Sequence, residues 1–334
     1  AFHHGKKEYI IEADFTVMPG AFVCGKEVEK NVTISVDGIE HKICRISKDR
    51  NEFNLCREHL LMAYVCSGGK ATEATTSYAA AAELLHNATL LHDDVADGSD
   101  KRRGKPTIMS LMGPSVSVLL GDYWLVKAMD LILGESESDT AVIKIFSKTL
   151  SDLAEGEMLQ LQKAQNGDTV QDDYLRIIYS KTASLFEAAC VSAAISVNAS
   201  EEYMTAARNY AVALGIAFQI KDDILDYDGT ESVGKPLGVD ILEQKMTMPL
   251  LGALVNAGPQ EDMRIRALVR DIVGHPEHRD EIVAFVKTNG GMEYASERLD
   301  FYVNQAVDAL AVLSESFEKE LLVKLARYTA SREK

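Results

Sequence analysis

The sequence has 334 residues, of which 46% are hydrophobic and 26% charged, and this composition is ordinary for one large folded domain or two smaller ones. Its formal net charge of −16 excludes a general nucleic-acid binder, which needs a basic surface, but allows a phosphorylated substrate if metal ions supply local positive charge. No run is long enough to cross a bilayer, no signal peptide is visible, and the five cysteines form no Cys-x-x-Cys pair, so we expect a cytoplasmic protein without a transmembrane segment.

Residues 1–54 differ in pattern from the rest of the chain. Residues 31–36 alternate between apolar and polar side chains, Asp37-Gly38 is typical of a two-residue hairpin turn, and residues 39–46 continue as a strand. We predict an N-terminal extension, possibly a β-hairpin, with no catalytic role.

Residues 55–334 are predicted to form one all-α domain. Good helix formers fill the Ala/Leu-rich stretch from Tyr78 to Leu91, and apolar residues recur at three- and four-residue spacing further along. The other predicted helical segments are 114–133, 139–164, 171–197, 201–227, 240–256, 261–273, 278–288 and 291–330. Since no repeated strand–helix alternation follows residue 55, we expect a large helical bundle with binding sites built from facing helices.

Two aspartate triplets follow apolar helical runs. Their members are Asp93, Asp94 and Asp97 in DDVAD, and Asp222, Asp223 and Asp226 in DDILD. Residues four apart lie on one face of a helix, so each triplet is expected to present its carboxylates as one cluster. Mg²⁺ prefers oxygen ligands and commonly bridges carboxylates to phosphates. One such triplet could be a solvated acidic face, but two favour metal binding, and two facing clusters would hold a diphosphate.

Two long segments resemble the aspartate-rich motifs of the trans-isoprenyl diphosphate synthases, and most closely those of the long-chain polyprenyl members. Residues 90–107, LLHDDVADGSDKRRGKPT, resemble the first motif, and residues 218–249 resemble the second. The resemblance runs from about residue 56 to the C-terminal helices. It implies an isoprenoid synthase fold with a central active-site cavity, Mg²⁺ held by both triplets, and a homodimer.

The reaction implied by the resemblance explains these residue types. An allylic diphosphate ionises, the double bond of isopentenyl diphosphate attacks the carbocation, and loss of a proton gives a product longer by one isoprene unit. Diphosphate leaves readily only when metal ions and basic side chains neutralise its developing charge. The departing diphosphate is a plausible base, so no Ser/His/Asp nucleophile is expected.

The resemblance also assigns the remaining site residues. The expected catalytic residues are Lys181, Thr182, Gln219 and Lys235, with Gln160 as a weaker candidate and Asp240 within the second motif. Basic residues expected to bind substrate are Lys70, His86, Arg102, Arg103 and Lys245, of which Lys70, His86 and Arg103 would form a metal-free pocket for isopentenyl diphosphate. For His86, a hydrogen-bonded core histidine is the alternative.

The chain departs from the family pattern after Lys70. The family continues with Arg-x-Arg-Pro and most of a helix, whereas Ala71-Thr72 follows here at once. Either that segment has been deleted, or the sequence joins two stretches that are not adjacent in the complete protein. The second explanation is favoured because losing the helix would open the core and remove an arginine of the second pocket.

Product length is expected to depend on the turn that precedes Asp93. Bulky aromatic residues there stop chain growth in short-chain family members, whereas this sequence has Ala88 and Thr89. A deeper tunnel, and therefore a long polyprenyl product, is predicted. Small residues could also simply allow close helix packing.

Three alternatives remain open at this point. A short-chain farnesyl or geranylgeranyl diphosphate synthase would use the same motifs, and a non-catalytic partner subunit would keep the fold but commonly loses an aspartate triplet. A class I terpene cyclase does not need the basic residues of the second substrate.

Residues 228–247 are predicted to form a mobile lid that a ligand orders, because Gly229, Gly234 and Gly238 lie among polar residues there. The long apolar product is expected to pass to a membrane.

Overall fold

The N-terminal strands form one antiparallel sheet in the computed structural model of the chain. The structure describes residues 2–4, 7–13, 31–36, 39–45, 55–102, 105–133, 139–228 and 238–332. The strands are β1 (Phe2–His4), β2 (Lys7–Ala13), β3 (Asn31–Val36) and β4 (Ile39–Arg45), in that order across the sheet. Val36 pairs with Ile39, so the predicted hairpin is confirmed, although its turn residues Asp37 and Gly38 lie outside the described part. Strands β1 and β2 were not predicted.

The chain divides into two compact units, residues 1–143 with 192–199, and residues 144–191 with 200–334. The predicted boundary between residues 54 and 55 stays a prediction. The helical fold class is confirmed, and no described helix is long and apolar enough to span a membrane.

The first unit contains the N-terminal sheet and the following elements: α1 (Leu55–Ser67), α2 (Glu73–Ala96), β5 (Lys101–Arg102), β6 (Lys105–Pro106), α3 (Ile108–Met112) and α4 (Pro114–Ile132). Helix α2 begins with a capping box, in which the side chains of Thr72 and Thr75 each bond the other's backbone N–H. Its alanines, residues 79–82, are buried, and α2 packs against α4, where Trp124 is also buried.

A short connection joins α1 to α2. The N–H of Gly69 donates to the carbonyl of Tyr64 at 2.8 Å, and the N–H of Lys70 donates to Ser67 Oγ at 2.8 Å. Gly68 and Gly69 have positive φ values of 68° and 94°, which allow the chain to reverse within these few residues. The expected segment between Lys70 and Ala71 stays a prediction; as it stands, the chain reaches the Thr72 cap directly.

The second unit contains most of α5 (Asp139–Asn166) and α7 (Ser184–Ser196), together with α6 (Gln171–Ile178), α8 (Glu201–Asp228), α9 (Val239–Leu242), α10 (Met248–Asn256), α11 (Pro259–Asp271), α12 (His278–Thr288), α13 (Gly291–Ala309) and α14 (Phe317–Ser331). A buried apolar core links α8, α10 and α13, with Ile220, Leu250 and Leu299 among its members.

Three predicted segments are interrupted in the structure. A π-helical turn, Tyr179–Ala183, separates α6 from α7. The segment 240–256 contains two helices, because Gln244 has a positive φ of 60° and Pro249 lies in the first turn of α10. The segment 291–330 is likewise divided, and α14 begins anew with Ser316 as its side-chain cap.

Candidate active site

The first aspartate triplet lies at the C-terminal end of α2. Asp94 is buried, Asp93 is partly buried and Asp97 is the exposed residue that caps the helix, its N–H donating to the Asp93 carbonyl at 2.8 Å. The C-terminus of a helix carries partial negative charge, so three carboxylates there repel both the helix end and one another. A cation bound at this place would compensate that repulsion.

Arg102 supplies part of this positive charge. Its Nε donates to Asp94 Oδ1 at 2.9 Å from strand β5. Thr107 steadies the same turn, because its hydroxyl donates to the Ser99 carbonyl at 2.7 Å. Arg103, the second predicted arginine, lies outside the described residues.

The other predicted residues of the first unit lie on or before α2. Lys70 is exposed in the connection that precedes the helix, and His86 is partly buried within it. Ala88 is fully buried, and the Thr89 hydroxyl donates to the carbonyl of His86 at 2.8 Å. Residues 88 and 89 therefore place no bulky aromatic side chain in this turn of α2.

Lys181 and Thr182 lie in the π-helical turn of the second unit. Lys181 Nζ lies 2.5 Å from Glu157 Oε2 and donates to Gln160 Oε1 at 3.1 Å. Gly156 permits this approach, since a Cβ there would lie 2.6 Å from Ser180 Cβ. Such turns are rare and frequently occur at functional sites.

The second triplet, on α8, has a different partner for each carboxylate. Arg332 Nη2 lies 2.6 Å from Asp222 Oδ1. Asp226 accepts the N–H groups of Val239 and Asp240 at 3.1 and 3.2 Å, and so caps α9. Asp223 is only 2% exposed and points into the unit.

A continuous chain of hydrogen bonds runs through Asp223. The Tyr174 hydroxyl donates to Asp223 Oδ2 at 2.5 Å, and Gln219 Nε2 donates to Oδ1 at 3.1 Å. The Thr182 hydroxyl then donates to Gln219 Oε1 at 3.0 Å. Three helical elements are thus joined, and two predicted catalytic residues share one network with a predicted metal ligand.

The electrostatics of this region favour a cation. Burial raises the pKa of the Asp223 carboxyl well above its usual range, and the charge of Asp240 adds to that rise. Burial also raises the pKa of Asp240 to about 6, with repulsion from Asp226 contributing. A nearby positive charge would lower the pKa of both carboxyls again.

A cavity of about 120 Å³ lies beside this network within the second unit. Its walls include Lys181, Gln219 and Asp223, together with Lys163 and Lys245. Lys163 is paired with Asp173 at 2.9 Å, and this hydrogen bond raises the pKa of the lysine. Lys235 lies outside the described residues, as do residues 229–237 of the predicted lid.

The predicted three-carboxylate clusters are not closed in this structure. Among the described residues, the only His, Cys, Asp or Glu group with three ligand atoms within 4.8 Å of one another is His275, Glu277 and His278, on the surface near the start of α12. Neighbouring residues on a helix point in different directions, and the partners described above hold several of these aspartates apart. The all-oxygen donor set still fits Mg²⁺, which commonly uses one or two carboxylates, retains waters and completes its shell with phosphate oxygens.

Two residues of this site were missed from the sequence. Tyr174 looks like one of several aromatic residues in an apolar segment, and only its contact with Asp223 reveals its place. Arg332, near the end of α14, reaches Asp222 from 110 positions away, a separation at which no local pattern is informative.

Comparison with known proteins gives consistent matches. Residues 55–287 match the family model described as polyprenyl synthetase. The chain is 38% identical to an all-trans-nonaprenyl-diphosphate synthase (geranyl-diphosphate specific) of Rhodobacter capsulatus, covering 82% of each chain. It is 39% identical to an octaprenyl diphosphate synthase of Haemophilus influenzae, covering 75% of each. A crystal structure of a decaprenyl diphosphate synthase from Rhodobacter capsulatus superimposes with a TM-score of 0.75 at 36% identity, over 84% of this chain and 86% of that one.

Proposed function

Because the chain belongs to the polyprenyl synthetase family, we propose that it is an Mg²⁺-dependent trans-prenyltransferase that condenses isopentenyl diphosphate with an allylic diphosphate. The product is a long-chain all-trans polyprenyl diphosphate. The observation that carries this proposal is the cavity in which Lys181, Gln219 and Asp223 meet, in a chain that keeps both aspartate triplets.

The metal-binding role falls to the two triplets, Asp93, Asp94 and Asp97, and Asp222, Asp223 and Asp226. When bound, Mg²⁺ neutralises the negative charge that develops on the departing diphosphate. The Arg102 guanidinium is proposed to neutralise part of the same charge. It pairs with Asp94, and its other N–H groups can donate to a diphosphate oxygen.

Lys181 binds the diphosphate and stabilises its negative charge. An ammonium has three N–H donors, and the contacts described with Glu157 and Gln160 use two of them. The remaining donor is available for a phosphate oxygen. Lys235 and Lys245 are proposed to add further positive charge on the same substrate.

Isopentenyl diphosphate is proposed to bind without metal at Lys70, His86 and Arg103. Lys70 is exposed and His86 partly buried, so both are accessible to a ligand. The arginines that the family pattern has after Lys70 belong to the segment that we expect between Lys70 and Ala71 in the complete protein.

A long product agrees with the small residues at the end of α2. Ala88 is fully buried and Thr89 satisfies its own hydroxyl on the helix, so neither presents an aromatic barrier. The relatives named as nonaprenyl and octaprenyl diphosphate synthases support the same assignment.

The proposal is tested by incubating the protein with Mg²⁺, labelled isopentenyl diphosphate and farnesyl diphosphate, and resolving products by chain length. A ladder that ends in a long polyprenyl species and disappears with EDTA is expected. Asp93→Asn should abolish incorporation, whereas Asp308→Asn, at an exposed position on α13, removes the same charge and should not.

Other outcomes identify the alternatives. A single addition would keep the enzyme class but indicate a short-chain synthase. No incorporation by a correctly folded protein with its Lys70 region intact would indicate a non-catalytic partner subunit, and the experiment would then be repeated with a catalytic relative added.

A homodimer is proposed on the exposed apolar face of α4. Leu119, Tyr123 and Val126 lie on one side of this helix at helical spacing and are 68%, 51% and 58% exposed. Leu119→Glu should yield monomers by sedimentation, whereas Val273→Glu, at a similarly exposed apolar residue, should not. Unchanged dimers of Leu119→Glu would refute this interface.

We also propose that the enzyme acts in the cytoplasm, from which its apolar product passes to a membrane.

A further inference from the structure

We infer that Asp223 is a positioning residue, which together with Tyr174 fixes the direction of the Thr182 hydroxyl through Gln219. This inference rests on the proposed prenyl transfer and divides the second triplet: Asp222 and Asp226 keep the metal-binding role, and Asp223 orients the residues beside the reacting carbons.

The hydrogen bonds of the Asp223 side chain are the first support for a positioning role. Its side chain is almost completely buried, and both carboxylate oxygens already accept hydrogen bonds. Tyr174 and the N–H of Met248 donate to Oδ2 at 2.5 and 3.4 Å, and Gln219 donates to Oδ1 at 3.1 Å. A metal ion on Asp223 would have to share this buried carboxylate with three hydrogen-bond donors, whereas the Asp222 side chain is 42% exposed.

The direction of each hydrogen bond follows from the chemistry of the groups. The Gln219 amide turns its NH₂ toward Asp223 Oδ1, which accepts this hydrogen bond at 3.1 Å. Its oxygen then faces Thr182 and can only accept, at 3.0 Å. The Thr182 hydroxyl is therefore the donor, and its oxygen retains only lone pairs for other neighbours.

This polarity suits the carbocation that the reaction forms. An oxygen that presents lone pairs stabilises a nearby positive charge, and a hydroxyl whose proton is held elsewhere cannot place that proton against it. Tyr174 is needed because it keeps the Asp223 carboxylate aligned with Gln219. The Tyr174 hydroxyl donates to Asp223 Oδ2 at 2.5 Å from the neighbouring helix α6.

Tyr174→Phe is the first test, because it removes one hydroxyl and keeps the ring. We expect kcat to fall by roughly tenfold or more, the size expected for one hydrogen bond to a charged group, with little change in the KM of the allylic diphosphate. Tyr179→Phe is the matched control. It removes a tyrosine hydroxyl that donates to Glu187 at 2.9 Å in the neighbouring π-helical turn, outside the chain through Asp223, and should leave kcat within about twofold.

A comparison of metal affinities distinguishes a positioning residue from a metal ligand. We expect Asp223→Asn and Tyr174→Phe to bind Mn²⁺, measured by electron paramagnetic resonance with a non-hydrolysable diphosphate analogue, within about threefold of the wild type. Asp222→Asn should weaken it by tenfold or more. If Asp223→Asn weakens Mn²⁺ binding as strongly as Asp222→Asn, Asp223 is a metal ligand and the inference is wrong.

A double variant tests whether the effect passes through Thr182. In a Thr182→Val background, Tyr174→Phe should lower kcat by less than twofold, because the hydroxyl it orients is gone. Thr182→Ser keeps the hydroxyl and should retain the full effect of Tyr174→Phe. Additive losses in the valine background, or wild-type turnover by Tyr174→Phe, would overturn the inference. Absence of prenyl transfer by the wild type would instead refute the proposed function, and the Mn²⁺ comparison would still report on Asp223.

Discussion

A methyl group added at Gly215 would test how tightly α8 packs against the π-helical turn. The Cβ of an alanine there would lie 2.5 Å from the Cα of Ala183 and 2.8 Å from its Cβ. Carbon atoms in proteins normally approach to about 3.5–4.0 Å, so one element must move by roughly 1 Å. Ala183 directly follows Thr182, and a shift of that size would break the 3.0 Å hydrogen bond from Thr182 to Gln219.

Two opposing energies set the expected result. Alanine is favoured over glycine within a helix by about 1 kcal/mol, whereas overpacking of a core costs about 1–3 kcal/mol. The free energy of unfolding should therefore fall by up to about 2 kcal/mol, in place of the gain that helix propensity alone predicts. Turnover should fall with it by about tenfold or more, because one end of the hydrogen-bond chain is displaced.

Urea denaturation measures the first quantity, and product formation at saturating substrates measures the second. Gly274→Ala is the control, since its Cβ would lie no closer than 3.7 Å to any neighbour. A Gly215→Ala protein that is more stable than the wild type and equally active would refute the close packing of α8 on this turn.

Three further predictions concern single contacts. Ala88→Phe should shorten the product, because an aromatic ring enters the fully buried turn below the first triplet; an unchanged distribution by chromatography would contradict the chain-length assignment. Asp226→Ala should lower the free energy of unfolding by about 1 kcal/mol and increase proteolysis near α9, because it removes the acceptor of two N–H groups; equal cleavage would contradict its capping role. Arg102→Met should lower that free energy by about 1–3 kcal/mol in metal-free protein, because it leaves the buried Asp94 carboxylate without its guanidinium partner, and added Mg²⁺ should reduce the loss. An equal loss with and without Mg²⁺, measured by urea denaturation, would argue against a metal near Asp94.

The sequence by itself determined the features that depend on local pattern. Three- and four-residue apolar spacing predicted the helices, alternation around Asp37-Gly38 predicted the hairpin between β3 and β4, and repeated acidic motifs identified the two triplets. These signals are local, because hydrogen bonding within a helix or hairpin joins residues that are near each other in the chain.

Only the tertiary structure decided the surroundings of each aspartate in the second triplet. Nothing in DDILD distinguishes Asp223 from Asp222, yet one is buried against Tyr174 and the other is half exposed beside Arg332. The interruption of the helix at Lys181 depends on the packing of distant elements around it, including the glycines that allow their close approach. The physical reason is that burial and hydrogen-bond partners are set by residues 49 and 110 positions away, for Asp223 and Asp222 respectively, and no short segment encodes contacts over such distances.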